Sequence, residues 1–230
     1  MIKIEKVDVY GFEPALRGMR NPKKSWDKSD SQYCNAAANC EVCFFCDAEP
    51  NKCNNLSLDN LGIGKSDHEL AMKLVKAGSE HAKFRRMIAV WVDITAPRYF
   101  WTEFDTYKIS TVSNSESTMH TIHKKPFELD DFSHEKCEGR IQLTFALEGT
   151  IKVLNKLRED YLENNDKDTW YQMIQLLPQS YNQKRTIFLS YEVLANMYRQ
   201  RKSHKLDEWR DFCEWIETLP YSEFITGEEK

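Results

Sequence analysis

Residues 103–120 carry the densest set of hydrogen-bonding side chains in the chain: Glu103, Asp105, Thr106, Tyr107, Lys108, Ser110, Thr111, Ser113, Asn114, Ser115, Glu116, Ser117, Thr118 and His120. Short hydroxyl and amide groups at this density suit either a solvated loop or a site that binds something polar, such as a nucleotide. The aromatic flank Tyr99, Phe100, Trp101 and Phe104 argues against disorder, because disordered segments are poor in aromatics. His120 and His123 lie three apart, but no carboxylate pattern accompanies them, so they read as surface or substrate-contacting residues. A second constellation lies at 34–53, CNAAANCEVCFFCDAEPNKC. Two-residue spacers separate Cys40, Cys43 and Cys46, and such spacing lets thiolates converge on zinc or an iron–sulfur cluster. The two separated pairs of an ordinary zinc site are missing. The alternative is a cysteine-rich insertion of reduced thiols.

The elements that position these groups follow from periodicity. Ile88, Val90, Val92 and Ile94 alternate, the period of a half-buried strand, and Pro97 ends it. Ile2, Ile4, Val7 and Val9 predict an opening strand with a slip between Ile4 and Val7. Residues 11–31 read as a loop whose Arg17, Arg20, Lys23 and Lys24 beside Trp26 suit either solvent or an anion. Residues 56–64 also read as a loop. Asp67 is expected to cap a helix bearing Leu70, Leu74 and Val75 and closed by Gly78. Residues 123–138 read as a charged connection. Helices are predicted over 151–161 and 168–177, the latter stopped by Pro178. Residues 176–216 read as two helices, one with the stripe Ile187, Tyr191, Leu194, Met197 and Tyr198, the next with Trp209, Phe212, Cys213 and Ile216. The basic cluster Arg199, Arg201, Lys202, His204 and Lys205 lies between them, where it suits a helix C-terminus or a phosphate.

Composition bounds the function. The chain has 230 residues, 12% aromatic, with a formal net charge of −4 and seven cysteines. This length suits one domain, 1–230, with the Cys-rich insertion at 32–66 inside it. An acidic balance gives no reason to expect nucleic acid as a partner. No apolar run is long enough to span a bilayer, and the opening MIKIEKVDVY lacks the hydrophobic core of a signal peptide. A cytoplasmic protein with reduced thiols is the expectation.

Three stretches, in order, resemble the flavin-dependent thymidylate synthases, the ThyX family. Glu80-His81 followed by a strand and then Ile94-Thr95-Ala96-Pro97 is similar to the family's EH(x)nAP passage. Residues 106–119, TYKISTVSNSESTM, stand where the family has RHRxxSxNExSxR. Leu177-Pro178, Asn196, Arg201 and His204 resemble its LP…N…R…H segment, and the helix through Glu208 resembles its HAQxEI passage. The wording FDTYK resembles a divergent branch found in bacteria and phages. The resemblance implies an α/β (α+β) fold, an antiparallel sheet with packed helices, assembled as a homotetramer. It implies methylation of dUMP to dTMP with FAD as cofactor, methylenetetrahydrofolate as carbon donor and NADPH as reductant. It assigns Glu103, Glu116, Ser117 and Arg201 to the nucleotide. It assigns His81, Thr106, Tyr107, Lys108, Asn114, Asn196 and His204 to the flavin, with Ser190 and Glu192 at further flavin-contacting positions.

The departures fall on the signature. Thr106 and Tyr107 stand for an arginine and a histidine, and Lys108 keeps a point charge without the planar fork of arginine. The signature's closing arginine falls at Met119 or His120, and Glu116 is one place off the motif glutamate. Two other readings stay open: a non-catalytic nucleotide-binding protein, or a different enzyme acting on a pyrimidine nucleotide, on the same fold.

Overall fold

In a computed structural model, residues 2–33 and 61–228 are described. In chain order the elements are β1 (Lys3–Tyr10), α1 (Phe12–Arg20), β2 (Gln32–Tyr33), β3 (Leu61–Gly62), α2 (Lys65–Lys76), β4 (Ala89–Pro97), α3 (Arg98–Phe104), β5 (Val112–Ser115), α4 (Thr118–Thr121), α5 (Ile141–Asn164), α6 (Lys167–Leu176), β6 (Asn182–Ser190), α7 (Tyr191–Arg201), α8 (Asp207–Glu217) and α9 (Glu223–Thr226). The fold is mixed α/β, an antiparallel sheet in the order β1-β4-β6-β5 with packed helices. The chain forms two compact units. The first comprises Asp93–Tyr107 and Ser113–Thr186 with the first residues of the chain; the second comprises the described parts of 5–92, 108–112 and 187–230. The cysteine cluster Cys40, Cys43 and Cys46 lies outside the described residues.

In the first unit, α5 and α6 pack against each other over a core of Ile122, Phe127, Phe132, Leu154, Met173 and Leu177. Pro97 closes β4 and is followed at once by α3, whose Phe100, Trp101 and Phe104 are buried. Two N–H groups at the start of α3, those of Arg98 and Tyr99, donate to the carbonyls of Tyr181 and Gln179. These are the orphan donors of a helix N-terminus, met here by backbone. Residues 123–138 contribute Phe127 and Phe132 to the core, so this connection is not wholly solvated.

In the second unit, α7 packs against α8, α9 and the 3-10 turn Lys83–Arg86. Tyr191, the first residue of α7, is buried edge-on against Phe12, and its hydroxyl donates to the Pro220 carbonyl at 2.5 Å. Full burial pushes that phenol well above its ordinary pKa. β4 alternates as expected, with Val90, Val92, Ile94 and Ala96 buried and Trp91 exposed. Lys6 takes φ 48° at the place where the pattern of β1 slips.

Four expectations are corrected. Residues 11–31 are not one loop. Phe12, Ala15 and Leu16 are buried at helical spacing in α1, and the turn into it needs Gly11, at φ 100°, where a Cβ would clash with the Met87 carbonyl oxygen. Asp67 is not an N-cap: α2 begins two residues earlier, behind Gly64, and the Asp30 carboxylate accepts from the N–H groups of Ser66 and Asp67. Leu61 and Gly62, expected in a loop, form β3. The largest correction is β6. Ile187 and Tyr191 are four apart and mimic a helix face, but Ile187 and Leu189 alternate into the core of a strand, and the helix starts only at Tyr191. The helix predicted over 151–161 is present and longer, as α5, and that over 168–177 is α6, capped by Asp166.

Candidate functional site

The candidate residues form two groups, one in each unit. In the first unit α3 ends at Asp105 and the chain turns through Thr106 and Tyr107. The Thr106 hydroxyl donates back to the Glu103 carbonyl at 2.7 Å, so it closes the turn. Asn114 lies exposed on β5, an edge strand. The Glu116 N–H donates to the Lys184 carbonyl at 2.9 Å, and its carboxylate accepts from the Lys184 N–H at 3.3 Å. Gln183 Nε2 donates to the Glu116 carbonyl at 2.7 Å. Ser117 precedes α4, and its carbonyl accepts from the Thr121 hydroxyl. Thus β6 fixes the backbone of the 114–118 segment and leaves its short side chains exposed or half-buried. Tyr181 sits just upstream, its phenol pushed up to about 12 by burial with Asp131 and Glu116 adding to the shift.

In the second unit, α7 carries Asn196 and Arg201 about 1.4 turns apart. Asn196 Oδ1 accepts from Arg199 at 3.1 Å and Gln200 at 3.0 Å. Arg201 ends the helix with its guanidinium 4.7 Å from the centre of the buried Trp209 ring. His204 approaches the same ring edge-on at 6.3 Å, and its Nδ1 accepts from the Leu206 N–H at 3.2 Å. In the neutral ring Nε2 therefore carries the proton. Trp209 brings Arg201 and His204 together; the sequence marked it only as part of a core stripe. Its signal was a large aromatic just past a basic helix end, a common partner for guanidinium.

Ser190 and Glu192 are both engaged. The Ser190 hydroxyl accepts from the Val193 N–H as the N-cap of α7. Glu192 Oε2 lies 2.7 Å from Arg85 Nη2. Burial holds the Arg85 guanidinium below its ordinary pKa; Glu192 opposes that shift, and Arg199 and Arg86 add to it. His81 is exposed in the turn after Gly78, its N–H donating to the Gly78 carbonyl. The 3-10 turn Lys83–Arg86 separates it from β4. Lys108 is exposed in the turn before β5. Arg85 Nε and Thr111 Oγ1 are buried polar atoms with no hydrogen-bond partner among the described residues.

A cavity of about 360 Å³ lies elsewhere in this unit, lined by Glu13, Arg17, Arg20, Trp26, Ser29, Ser31 and Tyr33 among others. None of the candidate residues lines it. Beneath it Arg20, expected in a solvated loop, is buried against Asp67 at 2.6 Å. Among the described residues no group of His, Cys, Asp and Glu is arranged to hold a metal ion, and no helix is long and apolar enough to cross a membrane. Cys213 is buried, and burial pushes its thiol up to about 11, which makes it a poor nucleophile.

No family model and no curated protein matches the chain. Solved structures do. Flavin-dependent thymidylate synthase ThyX from Helicobacter pylori, complexed with FAD and dUMP, is 16% identical over 97% of this chain and 98% of its own, with a TM-score of 0.65. A second structure of Thymidylate Synthase X from Helicobacter pylori with FAD and dUMP is 14% identical over 99% of this chain and 98% of its own, with a TM-score of 0.67. At these identities the likeness is one of fold, and it spans nearly the whole chain. The chain folds as the flavin-dependent thymidylate synthase ThyX does.

Proposed function

We propose that this protein is a flavin-dependent thymidylate synthase-like enzyme that binds FAD and a pyrimidine nucleotide, dUMP, and forms dTMP with methylenetetrahydrofolate and NADPH. The observation that carries the reading is the fold shared, over 97% and 99% of the chain, with two structures that hold FAD and dUMP.

The donors present fit these ligands. Arg201, fixed against Trp209, offers a guanidinium to the nucleotide phosphate. His204 offers its Nε2 proton. Asn196 keeps its amide nitrogen for a ligand, because its oxygen is already met by Arg199 and Gln200. Tyr107 offers an aromatic face and Lys108 an ammonium. Arg85 Nε and Thr111 Oγ1 are among the buried polar atoms without a partner among the described residues, and burial of such atoms is costly unless a ligand or water meets them. When bound and reduced, FAD supplies the hydride. The chain's own task is to hold the nucleotide phosphate by Arg201, and to keep the 114–118 backbone rigid against β6.

A second reading, a nucleotide-binding protein without turnover, draws on the 106–108 triplet: Thr106 is spent on the Glu103 carbonyl, and no guanidinium remains there. The deciding experiment is a visible absorbance titration of the purified protein with FAD, with and without dUMP, followed by an assay for dTMP. A flavin spectrum that shifts with dUMP, and dTMP formed, is the expected result. Nucleotide binding without flavin binding would leave the second reading standing.

A further inference from the structure

The 106–108 triplet lacks a guanidinium, yet one is held against the residue that precedes it. Arg185, on β6, stacks with its guanidinium carbon 4.3 Å from the centre of the Trp101 ring. Trp101 is buried and locked by its own Nε1–H, which donates to the Gln183 carbonyl at 3.0 Å. Arg185 Nε donates to Gln183 Oε1 at 3.1 Å, and Nη1 donates to Asp105 Oδ1 at 2.7 Å. The side chain of Arg185 is 13% exposed, whereas that of its partner Asp105 is 54% exposed. Nη2 has no hydrogen-bond partner among the described residues. An arginine stacked on an indole, oriented by two acceptors and keeping one donor pair, is a preorganised anion contact. The Asp105 carboxylate competes for this guanidinium, and being more than half exposed it can be taken up by water when a phosphate displaces it.

The geometry points to Arg185 as the guanidinium that contacts a ligand phosphate beside residues 106–107, doing from the strand what the triplet cannot. This rests on the reading that the site takes FAD and dUMP, both of which carry phosphate. Asp105 is its counter-ion in the free protein and gives way when the phosphate arrives.

The test titrates FAD and dUMP separately into the wild type, Arg185→Ala, Arg185→Lys and Asp105→Asn, with thermal melts alongside. Arg185→Ala should weaken one of the two ligands about tenfold or more, as loss of a charged hydrogen bond does. The ligand affected identifies whose phosphate is contacted. Arg185→Lys should recover little of the loss, because an ammonium lacks the fork. Asp105→Asn should tighten the same ligand, because it removes the competitor. A role in folding alone predicts the opposite sign for Asp105→Asn, since both substitutions then break one pair. Should Arg185→Ala fail to fold, Asp105→Asn decides: unchanged or weaker binding overturns the assignment. If the wild type binds and Arg185→Ala binds within twofold of it, Arg185 is excluded while the proposed function stands. If the wild type binds neither ligand, both fall.

Discussion

Arg201 is the residue proposed for the nucleotide phosphate. It ends α7 and stacks on Trp209, so its guanidinium is held in a fixed orientation. Arg201→Ala should weaken dUMP binding by about 2 kcal/mol or more, within the range for hydrogen bonds to charged groups; an unchanged dissociation constant in calorimetry would sink the assignment. Asp67 supports a different prediction. Burial raises its carboxyl pKa, but hydrogen bonds from Ser31, Ser29 and Arg20 and the charge of Arg20 outweigh it, so the net shift is below the ordinary value. A depressed carboxyl stabilises the fold above its unfolded pKa, and that stability is lost as pH falls through the folded value. Asp67→Asn should therefore cost about 3–5 kcal/mol at neutral pH, as breaking a buried pair does. The gap to the wild type should close below about pH 4, as read by urea midpoints across pH. A constant gap would show that the Asp67 charge is not what stabilises the loop. Arg20 and Asp67 were illegible as a pair because 47 residues separate them, and nothing in a local pattern announces so distant a partner.

At the scale of elements, β4 was legible because both its period and its terminating Pro97 are local signals. The strand β6 was not. Its first half, Asn182, Gln183, Lys184 and Arg185, is polar, so half of its alternation is written in residues that do not look like core. The other half runs straight into α7 with no glycine or proline between them. The break is made by Ser190, buried at the junction, whose hydroxyl caps the helix. Ser190→Ala should therefore lower stability by about 1 kcal/mol, and Ser190→Thr should retain most of it. Because α7 carries Asn196 and Arg201, fraying its first turn should also loosen nucleotide binding slightly, by less than Arg201→Ala does. Equal melting temperatures for the alanine variant and the wild type would show that the cap is not what ends the strand. The same misreading of β6 hid Arg185: on a strand, Gln183 and Arg185 share a face, whereas on a helix they do not.

At the scale of the molecule, the resemblance to ThyX passages named the fold, because three short motifs in order constrain topology even where their chemistry has drifted. The 106–108 triplet shows the limit: Thr106 and Tyr107 are uncharged where the resembling signature has arginine and histidine, and Lys108 keeps only a point charge, so a shared fold does not fix the ligand contacts. Residues 34–60 pose the remaining question of organisation. The strands on either side pair antiparallel, Gln32 with Gly62 and Tyr33 with Leu61, so the chain re-enters beside the point at which it leaves. Paired strands lie about 5 Å apart, a span that a two-residue Asn-Gly turn can close. Replacing residues 34–60 with Asn-Gly should therefore leave the melting temperature within a few degrees and FAD and dUMP binding unchanged, while any zinc or iron found in the wild type by elemental analysis leaves with the segment. The ladder is short, and its support comes from the Tyr221 hydroxyl, which donates to the Leu61 carbonyl at 3.3 Å and accepts from the Ile63 N–H at 2.9 Å. That anchor stays in the shortened protein. A variant that no longer folds, or that folds without binding nucleotide, would mean that the cysteine-rich stretch is part of the working structure and not an insertion into it.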